Sequence, residues 1–101
     1  MTGTTREELA GQVDEAEWGW LRAHLERGGL IVVAPELELA EVAVAIAAED
    51  ATTIARLVQA GRLAKPSAAQ IVAWDAEPGK KFLMLIVSPY VLIQDLPTLI
   101  H

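Results

Sequence analysis

The chain has 101 residues, of which 52% are hydrophobic and 22% charged, enough apolar material for one packed domain spanning 1–101 and too much for a disordered one. Its formal net charge of −6 repels phosphate backbones and weighs against nucleic-acid binding. There is no cysteine, which excludes disulfides, thiol catalysis and thiolate metal sites, and no apolar run reaches the roughly 20 residues of a membrane helix, so the expectation is a soluble cytoplasmic protein. The charge is unevenly spread. Residues 1–50 carry eleven acidic side chains against three arginines, and residues 51–101 carry three against five basic ones, giving −8 and +2. This split reads either as two solvated faces or as charge that favours self-association.

Thr5 and Glu8 fit a capping box, predicting a short helix over about 6–12 with Leu9 and Val13 inward. Asp14 reads as the N-cap of a second helix running to about Arg27, whose core stripe is Trp18, Leu21 and Leu25 and whose end is Gly28-Gly29. Leu30-Ile31-Val32-Val33-Ala34 is apolar on both faces and β-branched, hence a strand covered on both sides. Pro35 closes it. Residues 37–48 favour a helix over a strand, because alanine is a poor strand former. Asp50 caps a helix over about 51–60, with Ile54, Leu57 and Val58 inward and Gly61 at its end. Leu63-Ala64-Lys65 is extended before Pro66, and Ser67 with Gln70 opens a helix to about Asp75 with Ile71 and Trp74 inward.

The greasiest stretch comes last: Phe82–Val87, Ser88-Pro89, then Tyr90–Gln94. It reads as buried β-structure, either one bent strand or a pair split at Pro89. The predicted fold is α/β (α+β): one two-layer domain with a two- or three-stranded sheet covered by four or five helices. So narrow a sheet would leave apolar strand surface and open edges, which a homodimer would cover.

Chemistry is sparse. Glu36, Glu38 and Glu41 follow the strand at 30–34, where α/β proteins often hold a site, but Glu38 and Glu41 also suit the first turn of a helix. His24 lies one turn after Trp20, beside the core stripe, and with no cysteine and only His101 at the end of the chain it completes no zinc site. Ser67 and Ser88 lie in no nucleophile elbow, and no phosphate-binding glycine loop is present. No cofactor is expected. Trp20, off the core stripe, reads as an interface anchor. Residues 51–75 with the terminal strands outline a winged helix, yet the 67–75 helix carries no basic side chain to read a groove.

Four stretches together resemble a known family: Arg6-Glu7-Glu8-Leu9 with Asp14–Trp18; Leu30–Val33 with Pro35-Glu36-Leu37 and Glu41–Ala47; Lys65-Pro66-Ser67 with Gln70 and Trp74; and Leu85–Val87 with Pro89–Gln94. From about Arg6 to Gln94 the chain is similar to the small bacterial family catalogued as domain of unknown function 2288. Its most specific parts are Pro89–Gln94 and the Lys65-Pro66-Ser67 turn. The resemblance implies a compact stand-alone bacterial domain and carries over no catalytic residue. The leading expectation is a non-enzymatic protein–protein interaction module, a homodimer, with Trp20, His24, Glu36, Glu38, Glu41, Pro89 and Tyr90 as interface or pocket candidates. The alternatives are a ligand-binding or enzymatic domain built on the acids after the strand, and the winged-helix nucleic-acid binder.

Overall fold

The computed structural model describes residues 5–96. In chain order it contains α1 (Arg6–Ala10), β1 (Asp14–Glu17), α2 (Trp18–Glu26), β2 (Leu30–Val33), α3 (Leu39–Ala47), α4 (Ala51–Gln59), β3 (Leu63–Ala64), α5 (Ala68–Asp75), β4 (Lys81–Val87) and β5 (Tyr90–Asp95). The strands form one sheet in the order β1-β4-β5-β2-β3, with β2 and β5 parallel and the other neighbours antiparallel.

The helix starts follow local chemistry. In α1 the Thr5 hydroxyl accepts from the Glu8 amide at 3.1 Å while the Glu8 carboxylate accepts from the Thr5 amide at 3.1 Å. Ser67 and Gln70 repeat this reciprocal cap on α5, and Asp50 accepts from the Thr53 amide on α4. The Thr53 hydroxyl and amide also hold the Asp50 carboxyl below its ordinary pKa.

The apolar carboxy-terminal stretch is a hairpin. β4 and β5 pair from Phe82↔Asp95 to Val87↔Tyr90, joined by Ser88-Pro89. Side chains alternate across the pleat. Phe82, Val91 and Ile93, with Leu30 of β2, face Trp18 and Leu21 of α2 and Trp74 of α5. Leu85, Leu92 and Val33 face Leu9 of α1 and Leu39, Val42 and Ala43 of α3, with Ile54 and Leu57 of α4 packed at the margin. Helices therefore cover both faces, and the architecture has three layers rather than the expected two.

The sheet also has five strands rather than two or three, because both edges escape hydrophobic pattern reading. Asp14, expected as a helix cap, belongs to β1, an acidic strand paired with β4 from Asp14↔Met84 to Glu17↔Lys81. The helix begins only at Trp18, whose backbone amide donates to the Lys80 carbonyl at 2.8 Å. β3 is two residues long and pairs with Val32 and Val33. Val58, expected inward, is 54% exposed: α4 lies at the margin of its layer and buries no residue fully. The premise that the hairpin lacks cover within its own chain is likewise overturned. Nor is the winged helix formed: α4 and α5 lie on opposite faces of the sheet, and the hairpin is central rather than a free wing.

The aromatic layer is tied down by Asp75, which accepts from Trp18 Nε1 at 2.8 Å and Arg22 Nε at 2.9 Å. Arg22, then Trp18, hold the Asp75 carboxyl below its ordinary pKa. Trp18 and Trp74 meet with ring centroids 4.9 Å apart, and Trp74 meets Phe82 edge-on at 4.9 Å. On the opposite side, buried Gln94 donates its side-chain amide to the Ala34 and Leu37 carbonyls at 2.8 and 2.6 Å, fixing the segment between β2 and α3.

The hairpin turn is seated against the segment entering β2. The Val91 amide donates to the Gly29 carbonyl at 2.8 Å, and a Cβ at Gly29 would stand 2.7 Å from the Pro89 carbonyl oxygen. Gly28 next to it has φ +79° but open space around its Cα. Gly29→Ala is expected to cost about 2–3 kcal/mol by steric displacement and Gly28→Ala about 1 kcal/mol by backbone strain in the left-handed region. Thermal melts of the two variants check this; a smaller loss at Gly29 would contradict the close seating.

Candidate functional site

Where the layer of α1, α3 and α4 ends, the sheet stays partly open. A groove of about 830 Å³ lies between the carboxy-terminal end of α3, α4, β3 and the tip of the β4–β5 hairpin. Its lining is dominated by Ile31, Ile54, Leu63, Val87, Pro89 and Tyr90. Tyr90 is 40% exposed and Val58, also on the groove, 54%. Two charged residues line it, Glu49 and Lys65, both exposed and neither in an ion pair among the described residues. Of the residues singled out in the sequence, Pro89 and Tyr90 sit here.

The remaining candidates lie elsewhere. Trp20 and His24 stand on α2, in the other helical layer, with ring centroids 4.7 Å apart and Trp20 51% exposed. Glu38 is the N-cap residue of α3 without a side-chain capping bond, and its carboxylate takes a bidentate contact from Arg6, with Nη2–Oε2 at 3.0 Å. Glu41 in the first turn of α3 lies 3.9 Å from the same guanidinium. These contacts join α1 to α3. Glu36 pairs with Arg62 at 3.0 Å. Glu36 and Glu38 border a second recess of about 470 Å³ with Leu37, Leu83 and Gln94. The sheet separates this recess from His24, so the acids and the imidazole that an acid–base site would need are not brought together. No group of three potential metal ligands occurs among the described residues; His101 lies outside them.

Glu49 was not visible as special in the sequence. Three helices end alike, each on a residue in the left-handed region after the cap: Gly28 after α2 (φ +79°), Gly61 after α4 (φ +74°) and Glu49 after α3 (φ +55°). At α3 the Glu49 amide donates to Ile46 and the Asp50 amide to Ala45; at α4 the Gly61 amide donates to Val58 and the Arg62 amide to Leu57. Both are six-to-one, five-to-two helix endings, which normally fall to glycine or asparagine. A glutamate there carries backbone strain, and it carries it at the rim of the groove. The signal in the sequence was negative: no glycine separates Ala48 from the capping Asp50.

The fold so defined is a three-layer α/β domain. Residues 4–95 match the family described as "Protein of unknown function (DUF2288)", and the chain belongs to that family. Among solved structures it is similar to the NMR solution structure of PA1075 from Pseudomonas aeruginosa, with TM-score 0.78 and 28% sequence identity over 100% of this chain and 94% of that one. Among curated proteins nothing matches the chain.

Glu49→Gly relieves the left-handed strain and is expected to stabilise the chain by about 0.5–1 kcal/mol. The check is a denaturant melt at high dilution, where self-association does not add to stability. A loss of stability would show that the Glu49 side chain contributes more to the fold than its backbone costs.

Proposed function

We propose that this chain is a non-enzymatic, cytoplasmic protein–protein interaction module that acts as a homodimer through the groove and the hairpin tip. The observation that carries this reading is the exposed Tyr90, with Pro89, on an apolar groove at the corner where the helical layer stops short of the sheet. Exposed aromatic side chains bordering apolar recesses are the usual energetic centres of protein contacts. The edges of the sheet do not compete as contact surfaces. β1 presents Asp14, Glu15 and Glu17, and β3 offers two residues before Lys65-Pro66, so both resist strand addition. The separation of His24 from Glu36, Glu38 and Glu41, and the engagement of those acids by Arg6 and Arg62, weigh against the enzymatic alternative. Among the described residues no helix is long and apolar enough to cross a membrane. The lack of basic residues on α5 and the net charge of −6 weigh against nucleic acid.

Light scattering on the eluting protein at micromolar concentration is expected to give twice the chain mass of 10.9 kDa. Tyr90→Asp, folded by circular dichroism, is expected to elute as a monomer, and Trp20→Ala on the opposite layer to remain dimeric. A monomeric wild type, or a Tyr90→Asp variant that dimerises as tightly as wild type, would overturn the reading.

A further inference from the structure

We propose that two copies meet about a two-fold axis over the groove, and that Lys65 of each copy pairs with Glu49 of the other. This rests on the homodimer reading above and adds its geometry. The fold places the two charges on opposite banks. Glu49 closes α3, which packs on β4 and β5, while Lys65 continues β3 at the far edge of the sheet. Between β4 and β3 lie only β5 and β2, which supply Tyr90 and Ile31 to the groove. Three strand spacings, about 14 Å, separate β4 from β3. A two-fold axis between Tyr90 and Ile31 exchanges the banks, so each ammonium faces a carboxylate and each Tyr90 enters the other copy's apolar floor. An isologous contact requires this reciprocity: if one residue meets a second across the axis, the second meets the first.

Three further features fit. Glu49 and Lys65 are the charged residues lining the groove, and they are of opposite sign. Neither is engaged in an ion pair within the chain among the described residues, unlike Glu36, Glu38 and Glu41. Glu49 also holds a left-handed backbone position where glycine would be less strained, as expected of a side chain retained for contact rather than for folding.

The experiment is a charge swap followed by sedimentation equilibrium at low salt, each variant first shown folded by circular dichroism. Lys65→Glu and Glu49→Lys each place like charges opposite one another twice per dimer, and each is expected to weaken dimerisation by about tenfold or more. The double variant Lys65→Glu with Glu49→Lys restores both pairs and is expected within about threefold of wild type. An equimolar mixture of the two single variants also contains two complementary pairs, and its heterodimer is expected to be tighter than either homodimer. Should one variant fail to fold, wild type suffices for a second test: its dimer should weaken about tenfold between roughly 0.05 and 0.5 M salt. A wild-type dimer indifferent to both substitutions and to salt, or singles that neither the double variant nor the mixture rescues, would overturn the pairing and leave the homodimer standing. A monomeric wild type would remove both.

Discussion

The structure depends on the β4–β5 hairpin being buried on both of its faces. Phe82, Leu85, Leu92 and Ile93 are almost completely removed from solvent, two toward the aromatic layer and two toward the aliphatic one. Each contributes about 1.5–3 kcal/mol on burial, a large part of what holds a small domain together. A double-faced hairpin cannot be satisfied by one helical layer. The chain therefore sends α2 and α5 to one side and α1, α3 and α4 to the other, and β2 inserts parallel to β5 to widen the platform they cover. The Val91 amide on the Gly29 carbonyl and the tight approach of Gly29 to Pro89 set where that platform begins.

The two layers are built differently. On one side three aromatic rings interlock and Asp75 satisfies the Trp18 indole, so the helices are pinned by directional contacts. On the other side small and aliphatic residues of α3 lie flat on the sheet, Arg6 ties α1 to α3, and α4 hangs at the margin with no fully buried residue. That looser packing leaves the groove. The opening is thus a consequence of how the hairpin is covered, and the sheet edges, one acidic and one very short, direct any contact toward it.

Much of the interior was legible because it follows periodicity. The stripe Trp18, Leu21 and Leu25, the doubly covered strand at 30–33, the helices of residues 39–47 and 51–59, and the caps at Thr5, Asp50 and Ser67 all rest on local chemistry that tertiary context reinforced. The edges were not legible. Asp14-Glu15-Ala16-Glu17 carries the signature of a helix start, and only its pairing with β4 makes it a strand, a long-range cause that local pattern does not contain. Leu63-Ala64 was read as extended before Pro66, but two residues do not reveal that they pair with β2 as an edge strand. Val58 has helical spacing with Ile54 yet stays exposed, because the spacing says which side of α4 is apolar and not how far the sheet reaches beneath it. Of the residues lining the groove, Pro89 and Tyr90 were already singled out in the sequence, within the apolar, turn-interrupted carboxy-terminal stretch. Glu49 and Lys65 were not, because only the folded chain brings the end of α3 and the end of β3 to the same groove.

Burial of the β4–β5 hairpin on both of its faces can be read from native-state amide hydrogen exchange. The amides of Leu85, Leu92 and Ile93 should be among the slowest in the chain and exchange only through global unfolding, while those of Glu15, Ala16 and Glu17 on the acidic edge should exchange orders of magnitude faster. Hairpin amides exchanging as fast as those of β1 would mean that the hairpin is not held between two covering layers.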